Sequence, residues 1–139
     1  MNDHILLTIG IPTYNRATYL EKLLETISSA CGDRGIEILV QDNASSDRTA
    51  AVLADYSRRR HFRYSISPNN QGADMNVLSL FSNAKGRFLW LMADDDLIDV
   101  RQLDNLIALL KEKSDHGLFY LEHDYFRGDP PKDEGSTDR

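Results

Sequence analysis

Apolar and polar positions along the chain follow two rhythms that take turns. Residues 5–11 form a short, nearly continuous apolar run bounded by Pro12, the pattern of a strand buried on both faces. A helical rhythm follows, with Leu20, Leu23, Leu24 and Ile27 on one side and Glu21, Lys22 and Glu25 on the other. Thr18 with Glu21 three positions later is a capping-box pair that predicts the start of this helix. Residues 32–35, with a glycine at each end, close it, and residues 36–40 repeat the pattern of a buried strand.

The same alternation continues. Residues 42–47 are polar and turn-like, residues 49–56 read as a helix burying Val52, Leu53 and Tyr56, and residues 62–66 as a weaker third strand. A loop at 68–72 leads to a helix at 74–84 that buries Val77, Leu78, Leu80 and Phe81, and Lys85-Gly86 ends it. Residues 87–92 supply the most apolar strand, with Trp90 among leucines as a core residue, and run straight into Asp94, Asp95 and Asp96. A helix over 100–113 presents Leu103, Leu106, Ile107 and Leu110, and residues 117–121 are a fifth strand. Strand alternating with helix predicts a mainly parallel α/β sheet flanked by helices on both faces.

Such sheets bind ligands beyond the carboxyl ends of their strands, where strand order reverses. Three polar loops, 12–16, 42–47 and 94–96, each follow a strand, so the fold gathers them at one edge. The aspartate triplet has no counter-ion in its local sequence. A divalent cation answers that repulsion, because Mg²⁺ and Mn²⁺ prefer carboxylate and phosphate oxygens; the bland alternative is a turn and helix cap. Asp42 and Asn43 either accept hydrogen bonds from a base or ribose or form an Asx-type turn with Ser45, Ser46 and Asp47. Tyr14 either stacks on a nucleobase or packs under its loop.

Composition narrows the classes. The 139 residues suffice for one domain, with 41% hydrophobic and 27% charged, ordinary for a soluble globular chain. The formal charge of −6 argues against nucleic acid as a partner, and half of it lies in residues 122–139. A single cysteine, Cys31, fits a reducing compartment. The start lacks the basic region of a signal peptide, and no apolar run approaches the roughly 20 residues that span a bilayer. These features predict a cytoplasmic domain, peripheral at the inner membrane face in a larger whole. Arg58-Arg59-Arg60 follows a helix and reads as a solvated helix end rather than a phosphate clamp. His4 and His61 are isolated and take no role.

Ile11-Pro12-Thr13-Tyr14-Asn15-Arg16, the run from Asp42 to Thr49, Asn70-Gln71-Gly72 with Asn76, and the segment from Gly86 to the aspartate triplet resemble, in order and spacing, the amino-terminal half of family 2 glycosyltransferases. The closest flavour is that of bacterial surface-polysaccharide enzymes such as those of O-antigen synthesis. The resemblance implies a GT-A, Rossmann-like domain, truncated here after about five strands, and an inverting transfer of sugar from a nucleotide-diphosphosugar donor to a hydroxyl of a saccharide or lipid-linked saccharide acceptor. It implies that Pro12, Thr13 and Tyr14 hold base and ribose and that Asp42 binds the base edge, with Arg16 and Asn43 also among the nucleotide-sugar-binding residues. Gly72 and Asn76 would lie beside the nucleotide, Asp94 and Asp95 at the ribose or sugar, and Asp96 with Asp94 on a Mn²⁺ or Mg²⁺ ion that acts as a Lewis acid.

The resemblance covers residues 5–125 but only about half of a complete enzyme. The family's catalytic base lies downstream of the aspartate motif and no residue here matches it, with His123 and Asp124 the nearest polar candidates. The family often carries an acid at the position of Ala93. The expected organisation is a donor-binding domain over 1–126 and a polar tail over 127–139, disordered or opening a missing acceptor half, with exposed apolar surface that drives self-association. A non-catalytic nucleotide or nucleotide-sugar binding fragment is the rival reading. A receiver-like signalling domain fits less well, since no lysine follows Leu121.

Overall fold

The computed structural model describes residues 4–32 and 34–122. Its elements run β1 (Leu7–Thr13), α1 (Ala17–Cys31), β2 (Ile36–Asp42), α2 (Thr49–Tyr56), β3 (Phe62–Ile66), α3 (Ala73–Asn83), β4 (Phe88–Leu91), a 3₁₀ turn (Val100–Gln102) and α4 (Leu103–Glu112). The four strands form one sheet in the order β3-β2-β1-β4, every neighbouring pair parallel. Parallel neighbours need crossover helices, and here each is supplied by the helical stretch between two apolar runs.

Helices α1 and α2 carry the chain outward from β1 to β2 and β3. The α3 crossover then returns it across the sheet to lay β4 on the free side of β1. Strand order therefore reverses between β1 and β4, and right-handed crossovers place α3 on the opposite face from α1 and α2. Both faces of the inner strands are covered, which is why β2 is buried at all seven positions and β1 at six of seven. The main cluster joins Ile9, Ile11, Ile36, Ile38 and Val40 of the sheet to Leu20, Leu23, Leu24 and Ile27 of α1 and to Leu103, Ile107 and Leu110 of α4. Each such side chain contributes about 1.5–3 kcal/mol on burial.

Several expectations need correction. Strand β1 begins later than residue 5 and runs through Pro12 to Thr13. It can do so because β4 pairs with β1 only as far as Gly10↔Leu91, so the amide that Pro12 lacks falls where β1 has one neighbour. Strand β2 likewise extends to Asp42, which makes that residue part of the sheet. Helix α1 starts at Ala17 with Arg16 at its N-cap, and Thr18 and Glu21 form no capping box. On α3 only Asn76 and Leu80 are buried; Leu78 and Phe81 are more than half exposed, because α3 stands on its face of the sheet without the helical neighbours α1 has.

The expected fifth strand is absent. Residues 117–121 have no ladder partner among the described residues, and Leu118 and Tyr120 are 88% and 80% exposed, while Phe119 meets Phe88 edge-on at 5.8 Å. The described sheet therefore has four strands rather than about five. Trp90 is half-buried against the core, as a packing residue. His123, Asp124 and the polar tail lie outside the described residues, so the proposed boundary near 126 does too. No helix among the described residues is long and apolar enough to cross a membrane.

Two features lock the amino end of the sheet. Buried Glu37 accepts from Thr8 Oγ1 at 2.7 Å, Arg63 Nε at 2.9 Å and the Lys85 amide at 2.7 Å, tying three strands and the α3–β4 turn together. Gly86 lies so close to β1 that a Cβ would come within 2.5 Å of the Thr8 amide nitrogen, an approach only glycine permits.

Candidate functional site

Four loops leave the carboxyl edge of the sheet and bond to one another. The β1–α1 loop reaches the β4 loop through Thr13 Oγ1, which donates to Asp94 Oδ2 at 2.8 Å, and through Arg16. The Arg16 guanidinium lies 3.3 Å from Asp94 Oδ1 and 2.8 Å from Asp95 Oδ2, and sits 4.8 Å over the Tyr19 ring. These contacts straddle the point where strand order reverses. The triplet thus has a counter-ion after all, brought from a loop nearly eighty positions earlier in the chain.

The three aspartates play different parts. Asp94 is buried, and burial pushes its carboxyl above the usual range, against the hydrogen bond of Thr13 and the charge of Arg16 and with the help of neighbouring Asp95. Asp95 is exposed and paired with Arg16. Asp96 is exposed and closes a turn, its Oδ2 accepting from the Ala93 amide at 3.0 Å.

The β2–α2 loop is fastened to both neighbours. Asp42, 1% exposed at the end of β2, accepts from Ser45 Oγ at 2.5 Å and from the Ser45 amide at 3.3 Å, so the Asx-type turn is present. Asn43 donates through Nδ2 to Asn70 Oδ1 at 2.8 Å and accepts the Gln71 amide at 2.9 Å, which holds the loop before α3 alongside. Asn15, at φ 52°, accepts the Ser46 amide at 2.7 Å and donates its own to Ser45 Oγ at 2.7 Å. Asp47 accepts from the amides that open α1 and α2, Ala17 at 3.1 Å and Thr49 at 2.9 Å. Burial raises its pKa, but the bonds from Thr49 and Ala17 outweigh that and hold it below the usual range.

Asn76 reaches down from α3. Its Nδ2 donates to Gln41 O at 3.1 Å and contacts Thr13 O at 3.4 Å, while its Oδ1 is buried without a partner among the described residues. Gly72 supplies the turn into α3 at φ 87°, where a side chain would be strained. Pro12 is half-buried at the base of the edge, and Tyr14 is 44% exposed above it.

The structure therefore brings Thr13, Arg16, Asp42, Asn43, Asn76, Asp94 and Asp95 into one bonded network. Gly72 joins it through its backbone, its amide donating to Asn70 Oδ1 at 2.9 Å, and Tyr14 borders it. Asn15, Ser45 and Asn70, named in the sequence only within motifs and a turn and given no site role there, also belong to it. Their signal was the density of Asn and Ser beside strand ends, residues whose side chains mimic backbone turns.

Carboxylate oxygens of the aspartate triplet are the hard donors that a divalent cation would take. Among the described residues no three carboxylate, histidine or cysteine side chains gather to hold a metal between them. Mg²⁺ and Mn²⁺ are commonly held by one or two carboxylates with the remainder supplied by phosphates and water, and the exposed Asp96 beside Asp94 fits that incomplete set.

The sequence pattern of Glycosyl transferase family 2 matches residues 8–135. The chain is 34% identical over 114 residues to the abequosyltransferase RfbV of Salmonella typhimurium, covering 80% of this chain and 34% of that protein. It is 29% identical over 117 residues to a GalNAc(5)-diNAcBac-PP-undecaprenol beta-1,3-glucosyltransferase of Campylobacter jejuni, covering 83% and 36%. The chain thus spans about a third of the length of these relatives. Among solved structures, Staphylococcus aureus TarS with UDP-GlcNAc superimposes with a TM-score of 0.69 at 24% identity, over 78% of this chain and 32% of that one. A mannosyltransferase of Pyrobaculum calidifontis with GDP-Man and Mn²⁺ gives 0.66 at 22% identity, over 78% and 32%. At those identities the likeness establishes a shared GT-A fold.

Proposed function

Because the chain belongs to glycosyl transferase family 2, we propose that it is the donor-binding part of an enzyme that moves a sugar from a nucleotide-diphosphosugar to an acceptor hydroxyl in bacterial surface-polysaccharide synthesis. The observation that carries this reading is the bonded network of four loops over the strand-order reversal, the place where open α/β sheets take nucleotides. The names of the relatives, an abequosyltransferase and a GalNAc(5)-diNAcBac-PP-undecaprenol beta-1,3-glucosyltransferase, support the choice of pathway class.

In this reading Pro12, Thr13 and Tyr14 seat the base and ribose, and Asp42 with Asn43 reads the base edge from the hydrogen-bonded end of β2. Gly72 lets the α3 loop approach the nucleotide closely, and Asn76 offers the unpartnered Oδ1 as an acceptor. Arg16, shared between Asp94 and Asp95, brings positive charge to the place where a diphosphate would sit. Asp96 and Asp94 are the residues that would hold a Mn²⁺ or Mg²⁺ ion, which supplies charge against the departing diphosphate. The transfer is read as inverting: the acceptor oxygen bonds to the anomeric carbon as the bond to the diphosphate breaks, and the acceptor's proton goes to a base. None of the described residues is assigned that role.

The chain is placed at the cytoplasmic side of the membrane, where nucleotide-sugars are the donors. The exposed Leu78, Phe81, Leu118 and Tyr120 support self-association of the chain on its own, which sedimentation velocity across a concentration series would register.

Calorimetric titration with UDP, CDP, dTDP and GDP, each with and without Mn²⁺, tests the donor site. Binding of one nucleotide that depends on the metal and is lost in Asp96→Ala is the expected result. Failure of every nucleotide to bind a folded chain would remove the donor reading, and binding without any turnover of the matching sugar donor would favour a binding fragment.

A further inference from the structure

At the amino end of the sheet, away from the four loops, lies a cavity of about 320 Å³. One side is Ser28 and the end of α1; the other is the turn entering β3, with Arg59, Arg60 and His61; Ile38 and Phe62 line it between them. Ser28 Oγ is buried and has no hydrogen-bond partner among the described residues, a condition that native structures rarely leave without a reason.

The basic side chains are arranged rather than merely numerous. The Arg59 guanidinium lies 4.4 Å over the Tyr56 ring, which holds it beside the cavity. His61 sits at φ 62°, uncommon for a residue other than glycine, and its carbonyl is held by the Ile38 amide at 2.8 Å. The Cys31 thiol beside them is pushed up to about 11 by burial, so it adds no negative charge at neutral pH. The helix-to-strand turns at this end also carry Arg58, Lys85, Arg87 and Arg34, the last paired with Asp104 at 2.7 Å, and the buried Glu37 there is paired with Arg63.

We propose that this cavity is a second ligand site, which takes the phosphate group of an organic phosphate ester. Arg59, Arg60 and His61 face the phosphate oxygens, the Ser28 hydroxyl donates to one of them, and Ile38 and Phe62 meet the substituent. The volume exceeds what a bare phosphate fills, and the mixed lining of cations and apolar carbon suits an amphipathic ester. The proposal does not depend on the donor reading, because the two sites share no residue.

The phosphate could belong to a soluble ester or to a lipid headgroup, so the test has two arms on the 139-residue chain. Titration of phenyl phosphate is followed in ¹H–¹⁵N spectra, and co-sedimentation compares phosphatidylglycerol with phosphatidylcholine vesicles. The expected result is saturable shifts at Ser28, Gly32, His61 and Phe62 that UDP does not compete away. Arg59→Gln with Arg60→Gln weakens binding at least about tenfold, as loss of charge-assisted hydrogen bonds predicts. Ser28→Ala, harmless to a helix, weakens it severalfold, and Arg58→Gln, outside the cavity, leaves it within about twofold. Sedimentation with phosphatidylglycerol alone, lost in the double variant, assigns the site to a lipid headgroup; shifts without sedimentation assign it to a soluble ester. The proposal is overturned if neither probe binds, if the shifts fall at Asp42 and Asp94 instead, or if Arg58→Gln weakens binding as much as the double variant.

Discussion

Asp94 is the member of the triplet that folding withdraws from water, and its raised pKa makes it a site where function and stability pull apart. The native state holds this proton more readily than the unfolded chain, so the residue's contribution to stability falls as pH rises from the ordinary carboxylate value through the raised native one. Asp94→Asn keeps an acceptor for Thr13 and removes the buried charge. Its melting temperature at pH 7 is expected to equal or exceed that of the parent, with the difference closing as pH falls through that window. Nucleotide affinity is expected to drop about tenfold, the order lost with a charged hydrogen-bond partner. A marked fall in melting temperature would show the residue to be structural. The sequence disclosed the triplet at a strand end, but not Arg16 as its counter-ion, because a partner that distant in the chain is adjacent only once β4 lies beside β1.

Among the elements, helices were legible wherever their apolar stripe was long, and their ends were not. Thr18 and Glu21 have the spacing of a capping box, yet Asn15 turns the chain at a positive φ and α1 begins two residues earlier than that box would start it, capped from across the edge by Asp47. One carboxylate therefore serves two helices, bonding Ala17 of α1 and Thr49 of α2. Asp47→Ala is expected to cost about 1–2 kcal/mol in urea denaturation, the upper range for a cap, and Asp47→Asn less. The lowered pKa of Asp47 means that its contribution is full above the ordinary aspartate value and disappears as pH falls through the native one. Equal stability of Asp47→Ala and the parent would mean that the cap is replaced by water. Residues 117–121 failed as a strand for a related reason: their apolar composition was readable, but a ladder needs a neighbouring strand, and none among the described residues pairs with them.

At the scale of the whole molecule, the alternation of strand and helix announced a parallel sheet, whereas the order β3-β2-β1-β4 rests on where α3 crosses back, which periodicity does not encode. The result is a polarised body, with the four bonded loops at one edge and the Glu37 node near the other. Burial raises the Glu37 pKa, but Arg63, Thr8 and the Lys85 amide outweigh it and hold the carboxyl below its ordinary value. Its stabilisation is accordingly complete above the ordinary glutamate value and is lost as pH falls through the native one. Glu37→Gln keeps the shape and leaves Arg63 without its charge partner, at an expected cost of about 2–3 kcal/mol at pH 7 in denaturant melts. The acid limb of its stability curve should be flatter than that of the parent, since one of the groups that drives it is gone. Because the node and the loops lie at opposite ends of the strands, nucleotide affinity measured well below the melting temperature should stay within about twofold. A loss of affinity larger than the loss of stability explains would mean instead that the strands transmit strain from one end of the sheet to the other.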